Sequence, residues 1–163
     1  MDAKRIVVKV GSSTLTGDAG TSLNGSAVTK LVDVVANLKG QGKEVIIVTS
    51  AAIAAGMAPL GLTQRPTDLA TQQASASVGQ GLLIAKYSAE FTRHNIVASQ
   101  VLVTGDDLAR DLHKENAKRT LLRLLELGVV PIINENDSVG TEEIRLGDND
   151  RLAALVLELV GAN

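Results

Sequence analysis

The chain has 163 residues, 45% of them apolar, and a formal net charge of −2. That length supports one domain with a real core but not two of ordinary size, and the charge leaves no basic field for nucleic acid, nor do Tyr87 and Phe91, the only aromatic residues, make a stacking platform. The absence of cysteine excludes disulfides, thiolate metal sites and cysteine nucleophiles, and no apolar run approaches the roughly 18 residues of a membrane span. Met1 to Arg5 leads into a strand pattern and not a signal-peptide core, so a soluble, cytoplasmic protein is expected.

Arg5 to Lys9 reads as a short β-branched strand, followed by a turn rich in glycine and hydroxyls from Val10 to Gly17. Backbone amides near Gly11 and Ser12 would be free to face an anion, although the turn is neither a P-loop nor a dinucleotide fingerprint, because Lys9 precedes the first glycine. A lysine at a strand end is more often a solvated charge than a functional one. Asn24 to Gly40 has apolar residues at helical spacing (Val28, Leu31, Val35, Leu38), with Asn24 or Ser26 as its cap. Glu44 to Thr49 is a second strand, and the intervening helix makes the pair a βαβ unit with parallel strands. It gives way to Ser50 at a strand-to-helix junction. Ser50 reads either as an ordinary N-cap or as a cap that also holds a carboxylate; it is not a hydrolase nucleophile, since Gly-x-Ser-x-Gly is missing and His94 and His113 show no sign of a triad.

Asp68 to about Thr92 is a long helical segment, in which Gly79-Gln80-Gly81 predicts either a kink or a close approach to another element; Gln72 and Gln73 read either as solvent-facing or as part of a site. Ile96 to Val103 is a third strand, Thr104 to Asp107 caps a short helical piece, and Ala117 to Leu127 is an amphipathic helix ended by Gly128. Val129 to Ile133 is the fourth strand. Strands alternating with helices predict a three-layer α/β sandwich around a mainly parallel sheet, whose polar strand-end loops gather along one edge.

The richest of those loops runs from Pro131 to Asp150, with six carboxylates against one cation, Arg145. Its plain reading is a solvated loop whose Asp148 caps a helix from Arg151 to Val160. Two acid-amide clusters, Asn134/Asn136/Asp137 and Asp148/Asn149/Asp150, favour half of a binding site.

Taken together, Val7 to Thr16, Ile46 to Gly56, Ala76 to Gln80 and Val130 to Asp150, with Ile-Asn-Glu-Asn-Asp at 133–137 and Gly-Asp-Asn-Asp at 147–150, resemble the glutamate 5-kinase family of the amino acid kinase (carbamate kinase-like) fold. The resemblance implies ATP- and Mg2+-dependent phosphorylation of the γ-carboxylate of L-glutamate, the first step of proline synthesis. Carried over by position, Lys9 would meet the transferring phosphoryl group with Gly11 and Ser12, and Asp150 would orient Lys9. Ser50, Asp137 and Asn149 would bind glutamate, with Asn134, Asp148 and Asp150 lining the same pocket. No metal ligand is assigned. Such a kinase needs no general base, because its acceptor carboxylate is already ionised at neutral pH.

Three departures stand out: Ala51 where the family usually has glycine, Gly105 where it has arginine, and an altered segment from Asp111 to Asn116. The family's domain continues past Asn163, so residues 1–163 are expected to be its N-terminal, glutamate-binding part, incomplete at the C-terminus, without the nucleotide-binding part or the RNA-binding-like PUA domain of some members. Proline as an inhibitor and a homo-oligomer are further expectations, the latter because a half-sheet exposes an edge. The alternative reading is a non-catalytic half-domain that binds glutamate or proline, or only folds. A carbamate or acetylglutamate kinase of the same fold is disfavoured by the paired Asn-Asp clusters.

Overall fold

In a computed structural model describing residues 3–140 and 149–162, four parallel strands form one sheet. They are β1 (Arg5–Lys9), β2 (Glu44–Val48), β3 (Ala98–Val103) and β4 (Val130–Glu135), in the order β1-β2-β4-β3. The β2 strand explains the layering. Val45 and Ile47 belong to one apolar cluster, Ile46 and Val48 to the other, as alternation of side chains across a strand requires. All four are fully buried, hence the unbroken apolar run that marks a strand covered on both faces.

On the first face, α2 (Gly25–Gly40) and α4 (Leu69–Thr92) supply Val28, Val32, Val35, Leu83, Tyr87 and Phe91. On the second, α6 (Asp111–Glu126) and α7 (Asp150–Val160) supply Leu121, Leu125, Leu152, Val156 and Leu159. Each fully buried aliphatic or Phe side chain contributes about 1.5–3 kcal/mol, so these two stripes hold the sandwich together. Arg5 ties an edge to the second layer, pairing with Glu44 at 2.8 Å and donating to the Val160 carbonyl. Short helices α1 (Ser12–Leu15), α3 (Ala52–Met57) and α5 (Gly105–Ala109) complete the elements of the described residues.

The three-layer parallel architecture is the expected one, and Asn24 caps α2 by accepting from the Ala27 amide at 3.1 Å. Several boundaries differ. The α4 helix runs unbroken through Gly79, so of the two readings of the glycine segment the close approach holds: a Cβ on Gly79 would sit 1.8 Å from the Ala52 carbonyl oxygen, and one on Gly56 1.9 Å from that of Ser75. Gly81 meets nothing within 4 Å. Neither glutamine is simply solvent-facing: Gln72 donates to the Pro66 carbonyl at 2.8 Å and Gln73 to that of Gly140 at 3.1 Å. The α6 helix begins at Asp111, six residues ahead of the expected Ala117, because its first turns are polar and carry no apolar period. Thr104 and Asp107 close a capping box on α5, as the sequence suggests. The β4 strand extends to Glu135, which moves Asn134 from the loop into the sheet, opposite Leu102.

Candidate functional site

The carboxyl ends of β1, β2 and β4 lie side by side, where open α/β sheets form their ligand crevices. Backbone bonds extend the ladder just beyond the strands: the Val10 amide donates to the Val48 carbonyl at 2.9 Å, and the Thr49 amide to that of Ile133 at 2.8 Å. The segments carrying Lys9, Ser50 and Asn134 are thereby held in register.

Asn149 knots these ends together. It is 8% exposed, sits in the left-handed region (φ 45°) as the N-cap of α7, and its Nδ2 donates to the Thr49 carbonyl at 2.5 Å and to Asn134 Oδ1 at 2.8 Å, with Ser50 Oγ at 3.1 Å as a third, shared acceptor. An amide NH2 has two hydrogens, so the two shorter contacts take them. Beneath the cluster, Thr49 Oγ1 and the Tyr87 hydroxyl meet at 2.9 Å; burial pushes the tyrosine pKa up to about 12, keeping it a neutral hydrogen-bonding group.

Above the cluster opens a cleft of about 110 Å³, lined by Ser12, Ser50, Asn134, Asp137 and Asn149, together with Glu135 and Arg65. Its wall at α3 begins with Ala51, whose φ of 80° is left-handed. Glycine, which the family usually has there, takes such an angle freely, and an alanine adopts it only at a cost. The angle also corrects the reading of Ser50 as a helix cap: the cap of α3 is Ala51, and Ser50 Oγ instead faces Asn149. Likewise α7 is capped by Asn149 and starts at Asp150, not Arg151.

Of the residues singled out in the sequence, the structure gathers Ser12, Ser50, Asn134, Asp137 and Asn149 around one cleft. Lys9 and Asp150 do not line it; they pair with each other at 2.8 Å, the lysine one quarter exposed and the aspartate three quarters. Gly11 is the extended N-cap of α1. Asp148 lies outside the described residues. Sequence reading missed Arg65, which has no local pattern to mark it and no hydrogen-bond or ion-pair partner among the described residues, and also the Thr49 carbonyl and Gln80. Among the described residues no three or more His, Cys, Asp or Glu gather as an all-protein metal centre requires, and no helix is long and apolar enough to cross a membrane.

The chain is 61% identical over 161 residues to the glutamate 5-kinase of Thermobifida fusca, covering 99% of this chain and 41% of that protein. It is 62% identical over 158 residues to that of Salinispora arenicola, covering 97% and 42%. The chain thus spans about two fifths of the length of these curated relatives. Among solved structures, the UMP kinase from Bacillus anthracis superimposes with a TM-score of 0.59 at 15% identity, over 98% of this chain and 62% of that one, which speaks for a shared fold alone. The model of the amino acid kinase family matches residues 4–163, nearly the whole sequence, and the chain belongs to that family.

Proposed function

We propose that the cleft binds L-glutamate and that the chain forms the acceptor side of a glutamate 5-kinase, in which the γ-phosphoryl group of ATP passes to the glutamate γ-carboxylate. The observation that carries this reading is the Asn149–Asn134–Ser50 cluster at the sheet edge, beside the Lys9–Asp150 pair, in a chain about 60% identical to relatives named glutamate 5-kinase. A zwitterionic amino acid needs acceptors for its ammonium and a cation for its carboxylate; the cleft walls include Asp137 and Glu135 on one hand and Arg65 on the other.

The chemistry then asks for alignment and charge neutralisation, not for a base, because the acceptor carboxylate is ionised at neutral pH. Lys9 would bring a positive charge from the carboxyl end of β1, and Asp150 pairs with its Nζ at 2.8 Å. Backbone amides at Gly11 and Ser12 add donors for phosphate oxygens. Magnesium, held mainly by phosphate oxygens and water in such reactions, supplies further neutralisation when bound. Proline as an inhibitor, assembly into homo-oligomers and residence in the cytoplasm belong to the same proposal.

The test starts with calorimetric titration of L-glutamate into the folded chain, alongside Asn149→Ala. Binding that Asn149→Ala weakens supports the reading, and no binding by the folded wild-type chain defeats it. Hydroxamate trapping of the acyl phosphate, with ATP and magnesium and with Lys9→Ala as control, then separates a catalyst from a glutamate-binding module.

A further inference from the structure

The polarity of the amides at the cleft is set from two backbone groups, the Glu135 N–H and the Thr49 carbonyl. The Glu135 N–H donates to Asn134 Oδ1 at 2.9 Å, and a backbone N–H can only donate. The other end of that carboxamide is therefore Nδ2, which donates to Gln80 Oε1 at 2.9 Å. Gln80 must then turn its own nitrogen the other way, and it donates to Gln100 Oε1 at 3.0 Å. On the cleft side, Asn149 meets two acceptors, the Thr49 carbonyl and Asn134 Oδ1, so its nitrogen faces them. Four carboxamides from four separate elements form one directed chain. Its remaining end is Asn149 Oδ1, which accepts no hydrogen bond among the described residues, on a residue that lines the cleft, and it is an acceptor suited to an ammonium group.

Gln80 does not touch the cleft. It lines a neighbouring cavity of about 250 Å³ together with Gln100, and its hydrogen bond toward the cleft is the one it accepts from Asn134. Its contribution is to fix a plane: the terminal torsion of an asparagine is broad, the bonds from the Glu135 N–H and Asn149 Nδ2 hold the Oδ1 end, and the partner at Nδ2 holds the other end.

We propose that Gln80 is a positioning residue that, by accepting from Asn134 Nδ2, fixes the plane of the Asn134 carboxamide and, through the bond from Asn149 Nδ2 to Asn134 Oδ1, the orientation in which Asn149 meets the ammonium group of the amino-acid substrate. The identity of that ligand rests on the glutamate reading above; the polarity does not.

Two measurements on this chain test it. In ¹⁵N-resolved NMR, the side-chain NH2 pair of Asn149, assigned by its loss in Asn149→Asp, shifts or broadens in Gln80→Leu and stays in place in Gln80→Glu, which keeps the acceptor. An unchanged pair in a folded Gln80→Leu overturns the proposal whether or not glutamate binds. Should the leucine variant fail to fold, Gln80→Ala carries the same test. In titrations, Gln80→Leu weakens L-glutamate by about tenfold, the scale of one hydrogen bond to a charged group. It leaves glutarate, which lacks the amino group, unchanged, and Gln80→Glu stays within about twofold of wild type for both. Equal weakening of both ligands marks a merely structural role and sinks the idea. If wild type binds neither ligand, the glutamate reading falls while the NMR result still decides the role of Gln80.

Discussion

Two polar clusters hang on α4 about 15 Å apart along the helix, one at Gln80 and one at Glu90. At Glu90 the carboxylate meets Lys86 at 2.6 Å and Arg93 at 2.5 Å, Arg93 lies 3.8 Å from Asp33, and His94 Nε2 reaches Asp33 at 2.7 Å, so α2 and α4 are laced by charges that answer one another. At Gln80 the partners are neutral amides, aligned in one direction and ending at a cleft. The denser set of charges is the self-satisfied one. A paired ionic network has little left to give a ligand, whereas a directed amide chain leaves an acceptor at its end without the cost of a buried charge.

Breaking the helix that carries both clusters should have the largest effect. Gly79→Ala drives a methyl group into the Ala52 carbonyl, and we expect a loss of about 3 kcal/mol or more, or no folded protein, in denaturant unfolding. Gly81→Ala, two residues on in open space, should be neutral or stabilise by up to about 1 kcal/mol. That contrast separates close packing from helix propensity.

Emptying the amide cluster comes next. Asn149→Ala removes the donor to Thr49 and Asn134 and should cost about 1–3 kcal/mol in unfolding, with L-glutamate binding weakened tenfold or more on the same scale. Glu90→Gln should leave that binding untouched.

The ionic cluster should instead declare itself in acid. Hydrogen bonds from Lys86 and Arg93 hold the Glu90 carboxyl down at about 2, below its ordinary range. A carboxylate depressed in the folded state stabilises it above the unfolded pKa, and that contribution is lost as pH falls through the folded value. Unfolding free energy should therefore decline between about pH 5 and pH 2, and Glu90→Gln should flatten that limb. Equal slopes for the two proteins would mean that the network contributes nothing to acid stability.

Ala51→Gly should give the smallest change. It relieves a left-handed alanine, for a gain of about 0.5–1 kcal/mol after the greater chain entropy of glycine is counted, and widens the wall of the cleft. A loss of stability in thermal unfolding would show that the alanine methyl packs well enough to outweigh the strain.

Much of the architecture was legible because it is local. The spacing of Val28, Val35 and Leu38 marks α2, and the unbroken run from Val45 to Val48 marks a strand buried on both faces. The motif clusters at 134–137 and 148–150 drew attention to the sheet edge where the cleft opens, since they end one strand and begin one helix at that edge. What misled were caps: Ser50 and Asp148 are ordinary cap residues by type, yet Ala51 and Asn149 take those places through left-handed backbone angles that composition does not reveal.

The sequence by itself determined the long helices, the strands, the parallel class of the sheet and the residue types at its loop edge, because periodicity and turn chemistry act over a few neighbours, whereas the single turn of α1 at Ser12–Leu15 carries no period to mark it. Only the tertiary structure decided which of those residues meet. The order β1-β2-β4-β3 carries Asn134 between β2 and β3, and the amide chain joins residues 54 and 15 positions apart in sequence. Hydrogen-bond direction is likewise a tertiary property: an isolated carboxamide has no preferred polarity, and here the Glu135 N–H sets it by standing next to Asn134 Oδ1.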